Sequence, residues 1–270
     1  NSGNNLVDGG DGIDFLSESA GDDTILGGAG HDYLTSLGPG MEALPVPGGG
    51  ADYFDGGEGI DHLRLAYFLE AVAIDLESGI NGGGAAGDTI TGIEEIQATA
   101  FDDTLLGDGE GNGFAGEAGN DLLDGRGGDD GLSGYVGDDS LYGGEGRDGL
   151  SGGLGNDLLS GGSGWDAMTG GGGDDLFVLD ATDRSGAAGL VYDIDGNLIE
   201  LSETITDMCD EGDDTIDLTA LDLFASPAEA LALAMQNGND ITFDFDGDAH
   251  VDLVLKDTAL GILTEDDFLV

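Results

Sequence analysis

Basic residues are almost missing. The chain of 270 residues has 5 Lys and Arg against 58 Asp and Glu, a formal net charge of −53. Nucleic acids and acidic membrane surfaces attract basic patches, so both are poor partners for this chain. Cysteine is reduced to Cys209, which rules out an intrachain disulfide and any cysteine-based zinc cluster. Histidine is limited to His31, His62 and His250. No apolar run approaches the roughly 18–20 residues that span a bilayer. Asn1 opens a polar, glycine-rich stretch without the basic and apolar regions of a secretory leader. The missing initiator Met suggests a processed end or the start of a fragment.

Glycine is what the chain has in excess, at 55 positions. Such a share ordinarily marks a flexible, low-complexity chain. Hydrophobic residues nevertheless make up 39%, enough for a core, and the glycines are periodic. From Ala98 to Val178 the sequence divides into nine consecutive nonapeptides without insertion. Clear copies begin at Gly143, Gly152 and Gly161. An earlier block runs Gly9–Ser17, Glu18–Leu26 and Gly27–Thr35, then Pro47–Asp55 and Gly56–Arg64. Ser36–Val46, rich in Gly and Pro, reads as a loop extruded between two coils.

Each nonapeptide divides its labour. Its first four positions supply glycines, Gly9, Gly27, Gly143, Gly146, Gly152, Gly155, Gly161 and Gly164 among them, which let the backbone approach an ion closely. Position six is Asp in nearly every copy. In the first block these are Asp14, Asp23, Asp32, Asp52 and Asp61; in the second they are Asp103, Asp121, Asp130, Asp139, Asp148, Asp157, Asp166 and Asp175. Asn112 is the exception, and Asn5 holds the same phase at the start. Position eight is apolar throughout, as in Leu34, Leu123, Leu141 and Phe177. One inward side chain per short strand is how a thin parallel sheet fills its interior. A flexible acidic linker would not keep an apolar residue at every ninth position.

Clustered carboxylates and exposed backbone carbonyls are hard oxygen ligands. They suit calcium, which takes six to eight oxygens at roughly 2.3–2.6 Å. Magnesium demands a tighter octahedron and keeps its waters, and zinc would want His or Cys. The candidate metal ligands are therefore the position-six aspartates and the glycines named above.

The pattern Gly-Gly-x-Gly-x-Asp-x-apolar-x resembles the calcium-binding nonapeptide repeats of the repeats-in-toxin (RTX) family. That resemblance implies an all-β fold, a parallel β-roll (a right-handed β-helix of nonapeptide repeats) with a small C-terminal α+β cap. It implies that two nonapeptides make one coil, and that repeats i and i+2 stack and share an ion. Asp103, Asp121, Asp139, Asp157 and Asp175 would then line one edge, and Asn112, Asp130, Asp148 and Asp166 the other. Roughly ten calcium ions would fill most stacked loops. It further implies a secreted or cell-surface protein that leaves through a type I exporter, with an uncleaved C-terminal signal.

Four segments follow. Residues 1–64 form the first block with its loop insertion at 36–46. Residues 65–97 break the phase but keep strand character in Ala71–Leu76 and Thr89–Ile96, as coils without ion loops. Residues 98–178 form the second block. Residues 179–270 form the cap: a strand at Asp213–Leu218, a helix over Ala230–Gln236 behind the capping box Ser226-Pro-Ala-Glu229, and a hairpin of Ile241–Phe245 with His250–Leu255. Asp193–Asn197 and Asp244–Asp248 resemble EF-hand loops but carry Gly at position four and no Glu at twelve, so they read as turns.

No catalytic constellation emerges, and the sequence reads as a non-enzyme. Gly149-Leu-Ser-Gly-Gly153 and Gly144-Glu-Gly-Arg-Asp-Gly149 match catalytic and dinucleotide strings, which need a strand-to-helix context that the repeat denies. The leading expectation is a calcium-dependent structural, surface, matrix or adhesive module that folds after export, with the C-terminal cap as nucleus. Self-association into a fibre or surface layer is the alternative, and the accessory domain of a secreted enzyme is a third reading.

Overall fold

In a computed structural model, the described residues are 3–18, 21–36 and 50–179, followed by 191–192, 198–199, 203–206, 215–217, 226–237, 240–243, 253–255, 263 and 267–269. The fold is built almost wholly from parallel strands that alternate between two faces. One face is a 12-stranded sheet. It starts with Phe15–Ser17, Tyr33–Thr35, His62–Arg64 and Glu95–Gln97. It continues through Gly113–Ala118, Gly131–Val136, Gly149–Leu154 and Ala167–Gly172. The other face is divided. A 4-stranded sheet holds Leu6–Asp11, Thr24–Gly30, Tyr53–Gly59 and Thr89–Thr91, and a 9-stranded sheet holds Val72–Asp75, Thr104–Leu106, Leu122–Gly127 and their successors.

The register explains the sequence period. Leu105 lies against Leu123, and Leu123 against Leu141, so one coil consumes two nonapeptides. Alternation along each strand turns every position-eight side chain inward. Ile25, Leu34, Phe54, Leu63, Leu105, Leu123, Leu141, Leu159 and Phe177 are fully buried in one continuous core. Dispersion and apolar burial accumulate along this column as they would in any solenoid.

Residues 65–97 do continue the roll. Val72–Asp75 pairs in parallel with Thr104–Leu106, while Thr89–Thr91 and Glu95–Gln97 stack on the strands of the first block. Leu65, Phe68, Val72, Ile74, Ala85 and Ile93 thicken the core here.

Beyond the repeats, Glu203–Thr206 and Thr215–Asp217 extend the two faces by one parallel strand each. Asp240–Phe243 pairs antiparallel with Leu253–Leu255, as the hairpin expectation has it. The helix departs from expectation. It runs only Pro227–Leu231, and Ser226 makes no side-chain cap hydrogen bond. Met235 and Gln236, expected to be helical, instead belong to the strand Met235–Asn237, antiparallel to Asp240–Phe243. A single turn gains little helical stability, and pairing with the sheet edge outweighs it. Phe268–Leu269 closes the second face by pairing with Thr215–Asp217. Asp193–Asn197, Asp244–Asp248, Cys209 and His250 lie outside the described residues.

Candidate metal centre

Within each block the position-six aspartates form two ladders along the edges of the roll. The amide of Asp103 donates to Oδ1 of Asp121 at 2.7 Å, Asp121 to Asp139 at 2.8 Å, Asp139 to Asp157 at 2.8 Å and Asp157 to Asp175 at 2.8 Å. On the opposite edge Asn112 donates to Asp130, Asp130 to Asp148 and Asp148 to Asp166. The first block repeats the arrangement through Asp14, Asp32 and Asp61, and through Asn5, Asp23 and Asp52. The edge assignment drawn from the family resemblance thus coincides with the geometry.

Each carboxylate with a coil before it spends one oxygen on that coil. The second oxygen, Oδ2, of Asp14, Asp32, Asp61, Asp121, Asp130, Asp139, Asp148 and Asp157 is buried with no hydrogen-bond partner in the protein. Leaving a carboxylate oxygen in that state costs free energy unless a cation or proton meets it.

The glycine that opens each nonapeptide makes room beside that oxygen. A Cβ on Gly9 would lie 2.8 Å from Asp14 Oδ2 and 2.6 Å from the Gly27 carbonyl oxygen of the next coil. Gly27, Gly143, Gly152 and Gly161 stand in the same relation to Asp32, Asp148, Asp157 and Asp166. The cradle is therefore lined by a carboxylate and a backbone carbonyl, and any side chain at position one would fill it. Gly146, Gly155 and Gly164 play a different part. They adopt φ of 145°, 135° and 146°, and a Cβ there would run into the carbonyl of the preceding coil. They permit coils to stack rather than shaping the cradle.

Among the described residues no three His, Cys, Asp or Glu side chains converge on one point. A cation held here would draw most of its oxygens from backbone carbonyls, which is the donor chemistry of calcium and not of zinc. His31 Nδ1 sits 3.1 Å from Ile60 backbone atoms and His62 pairs with Glu95 at 3.4 Å, both at the surface.

Electrostatics tell the same story. Burial, the largest cause, raises Asp121 and Asp157 to about 7 and Asp130, Asp148 and Asp166 to about 6. The backbone amide of the preceding coil pulls each the other way, and like charges along the ladder push upward for most. Asp52 rises to about 8, first through burial and then through Glu18 beside it. Without a counter-cation the array is a column of carboxyls that resist ionisation.

Some members depart from the common pattern. The second oxygen of Asp103 receives the Thr99 amide at 2.7 Å and its hydroxyl at 2.8 Å, so this carboxylate is already saturated. Asp23 follows Glu18 instead of glycine at position one.

Two features escaped the sequence reading. Asp88 and Glu94 extend the ladders of the first block by one coil into residues 65–97, accepting the amides of Asp52 and Asp61 at 2.9 and 2.8 Å. Their separations of 36 and 33 residues, against 18 in the second block, hid them. A second ladder runs at position five. Asn120 donates to Asp102, Asp138 to Asn120, Asn156 to Asp138 and Asp174 to Asn156. Alternating Asp with Asn keeps its carboxylates two coils, roughly 10 Å, apart. The recurrence of Asp or Asn every eighteen residues was the signal available.

The two catalytic-looking strings lie on the parallel strands Ser140–Gly146 and Gly149–Leu154, with no helix after them. Among the described residues no helix is long and apolar enough to cross a membrane.

The chain matches the family model of the RTX calcium-binding nonapeptide repeat in four copies, over residues 1–34, 48–63, 115–150 and 142–177. Comparison with curated proteins finds no match.

Proposed function

We propose that this chain, an RTX calcium-binding nonapeptide repeat protein, is an extracellular structural module that completes its fold on meeting calcium after export through a type I secretion channel. The observation that carries the reading is the row of buried Oδ2 atoms, Asp121, Asp130, Asp139, Asp148 and Asp157 among them, that face glycine cradles without a protein partner. Calcium supplies a divalent charge and a large oxygen coordination shell to each cradle.

The rest falls to the chain's own residues. With 58 acidic side chains and little to offset them, the carboxylates repel one another and oppose compaction where calcium is scarce. An uncompacted chain fits passage through a narrow channel. Each aspartate holds the preceding coil through its Oδ1 and leaves Oδ2 for the cation, so folding of one coil builds half the site for its neighbour. Uptake coupled in this way is cooperative, and binding to the folded state alone pulls folding forward by mass action. The reading includes no catalytic step, since calcium ligation accounts for the carboxylates.

Small-angle scattering with and without calcium tests it, with electron microscopy on the same samples. A radius of gyration near 60 Å in chelator, as for an unfolded chain of this length, falling to less than half that in millimolar calcium, supports the reading. A compact particle in both conditions overturns it. Fibres or sheets appearing only with calcium would favour the self-assembling subunit.

A further inference from the structure

The first coils of the second block answer their own cation sites. On one edge Thr99, at the second position of its nonapeptide, caps Asp103 with its amide and hydroxyl. On the other edge, position six is the uncharged Asn112, whose Oδ1 takes the Asp108 amide at 3.0 Å. One coil further on stands Arg126. Its Nη1 donates to the Gly107 carbonyl at 2.7 Å, to Asp75 Oδ1 at 2.9 Å and to Glu77 Oε2 at 3.0 Å.

Gly107 opens its nonapeptide. The equivalent carbonyls of Gly143 and Gly161 lie beside the cradles of Asp130 and Asp148. Arg126 thus sets a fixed positive charge among one position-one carbonyl and two carboxylates, a donor set of the kind a hard cation takes. Its φ of 68° is the left-handed backbone that the same repeat position also takes at Glu117 and Tyr135, with φ of 80° and 76°. The guanidinium holds the Asp75 carboxyl well below the usual carboxylate range, the opposite of the shift along the ladders.

We propose that Arg126 and Thr99 form a calcium-independent joint between the two repeat blocks, the Arg126 guanidinium standing at Gly107, Asp75 and Glu77 in place of an ion. The inference rests on the reading that the repeat loops take calcium. It divides the array into two ion stacks instead of one, and it places the folding nucleus in the middle of the roll. The expectation from sequence puts that nucleus in the C-terminal cap.

Hydrogen–deuterium exchange of the full chain, read by mass spectrometry in chelator and in millimolar calcium, tests it on the wild type and on Arg126→Gly. Glycine suits the φ at this position, so the variant removes the charge without straining the backbone. In chelator the amides of Val72–Asp75 and Thr104–Leu106 should exchange at least about tenfold more slowly than those of Ser140–Gly146 and Leu158–Gly164. Arg126→Gly should erase that difference in chelator, and calcium should restore protection. Exchange in the joint as fast as in the repeats, or no effect of the substitution, overturns the joint while leaving calcium-dependent folding intact. Full protection of every segment in chelator overturns calcium-dependent folding, and with it the joint as a separate unit.

Discussion

The amide of Asp139 donates to Oδ1 of Asp157, one coil on, at 2.8 Å, while its own Oδ1 receives the amide of Asp121 at 2.8 Å. Asp139 is therefore tied to both neighbouring coils through backbone–carboxylate bonds. Asp14, in the first coil of the roll, donates to Asp32 with only the end of the stack before it. Hydrogen bonds to charged groups contribute about 1.5–3 kcal/mol each. Asp139→Ala should thus raise the calcium midpoint of folding by about one order of magnitude or more, and Asp14→Ala by clearly less. Equal midpoints for the two variants would contradict shared ligation between coils.

Two glycines three residues apart should behave oppositely. A Cβ on Gly152 would meet Asp157 Oδ2 and lie 2.6 Å from the Gly170 carbonyl, whereas a Cβ on Gly149 meets nothing within 4 Å. Gly149→Ala should change the stability in calcium by no more than the about 0.5 kcal/mol expected of surface changes. Gly152→Ala should shift folding to higher calcium. Calcium titrations of both proteins check this, and similar midpoints would mean that position one does not line the site.

The pH response has a defined sign. Burial raises the folded-state values of Asp121 and Asp157 to about 7 and of Asp130, Asp148 and Asp166 to about 6, above the ordinary 3.8. A carboxyl raised in the folded state contributes stability that is complete below its unfolded value and is lost as pH rises through the folded value. The calcium-free chain should therefore gain β structure near pH 4 and lose it between about pH 4 and 7. Protons compete with calcium for the same oxygens, so the calcium midpoint should rise as pH falls from 7 to 5. Chelated circular dichroism spectra across this range, with calcium titrations at both ends, decide it; a pH-independent midpoint would rule out these carboxylates.

Core and surface leucines on neighbouring strands should separate in urea. Leu141 is fully buried, whereas Leu122 is 37% exposed on the outer face. Leu141→Ala should cost about 2–5 kcal/mol in saturating calcium, and Leu122→Ala much less. Comparable losses would mean that the inward column is not the core.

Much of this was legible because a two-nonapeptide coil puts the same position in register every eighteen residues, as Asp121 on Asp139. Phase alone then locates Asp139 on an edge and Leu141 in the core. Where phase fails, so does the reading. Asp88 and Glu94 extend the ladders across insertions that shift the spacing. Arg126 reaches Asp75 across 51 residues, a relation set by stacking and not by local pattern. At Met235–Asn237 the helix signal of Ser226-Pro-Ala-Glu229 loses to pairing with Asp240–Phe243, a contact between neighbours that propensity does not see.

The central claim is that calcium, by meeting the buried Oδ2 atoms of the ladders, completes the fold. Far-ultraviolet circular dichroism during a calcium titration from a chelated start, with magnesium as control, tests it most directly. The account predicts a steep, calcium-selective gain of β signal. A spectrum already folded in chelator and unchanged by calcium would contradict it, leaving the aspartates as purely structural members of the repeat.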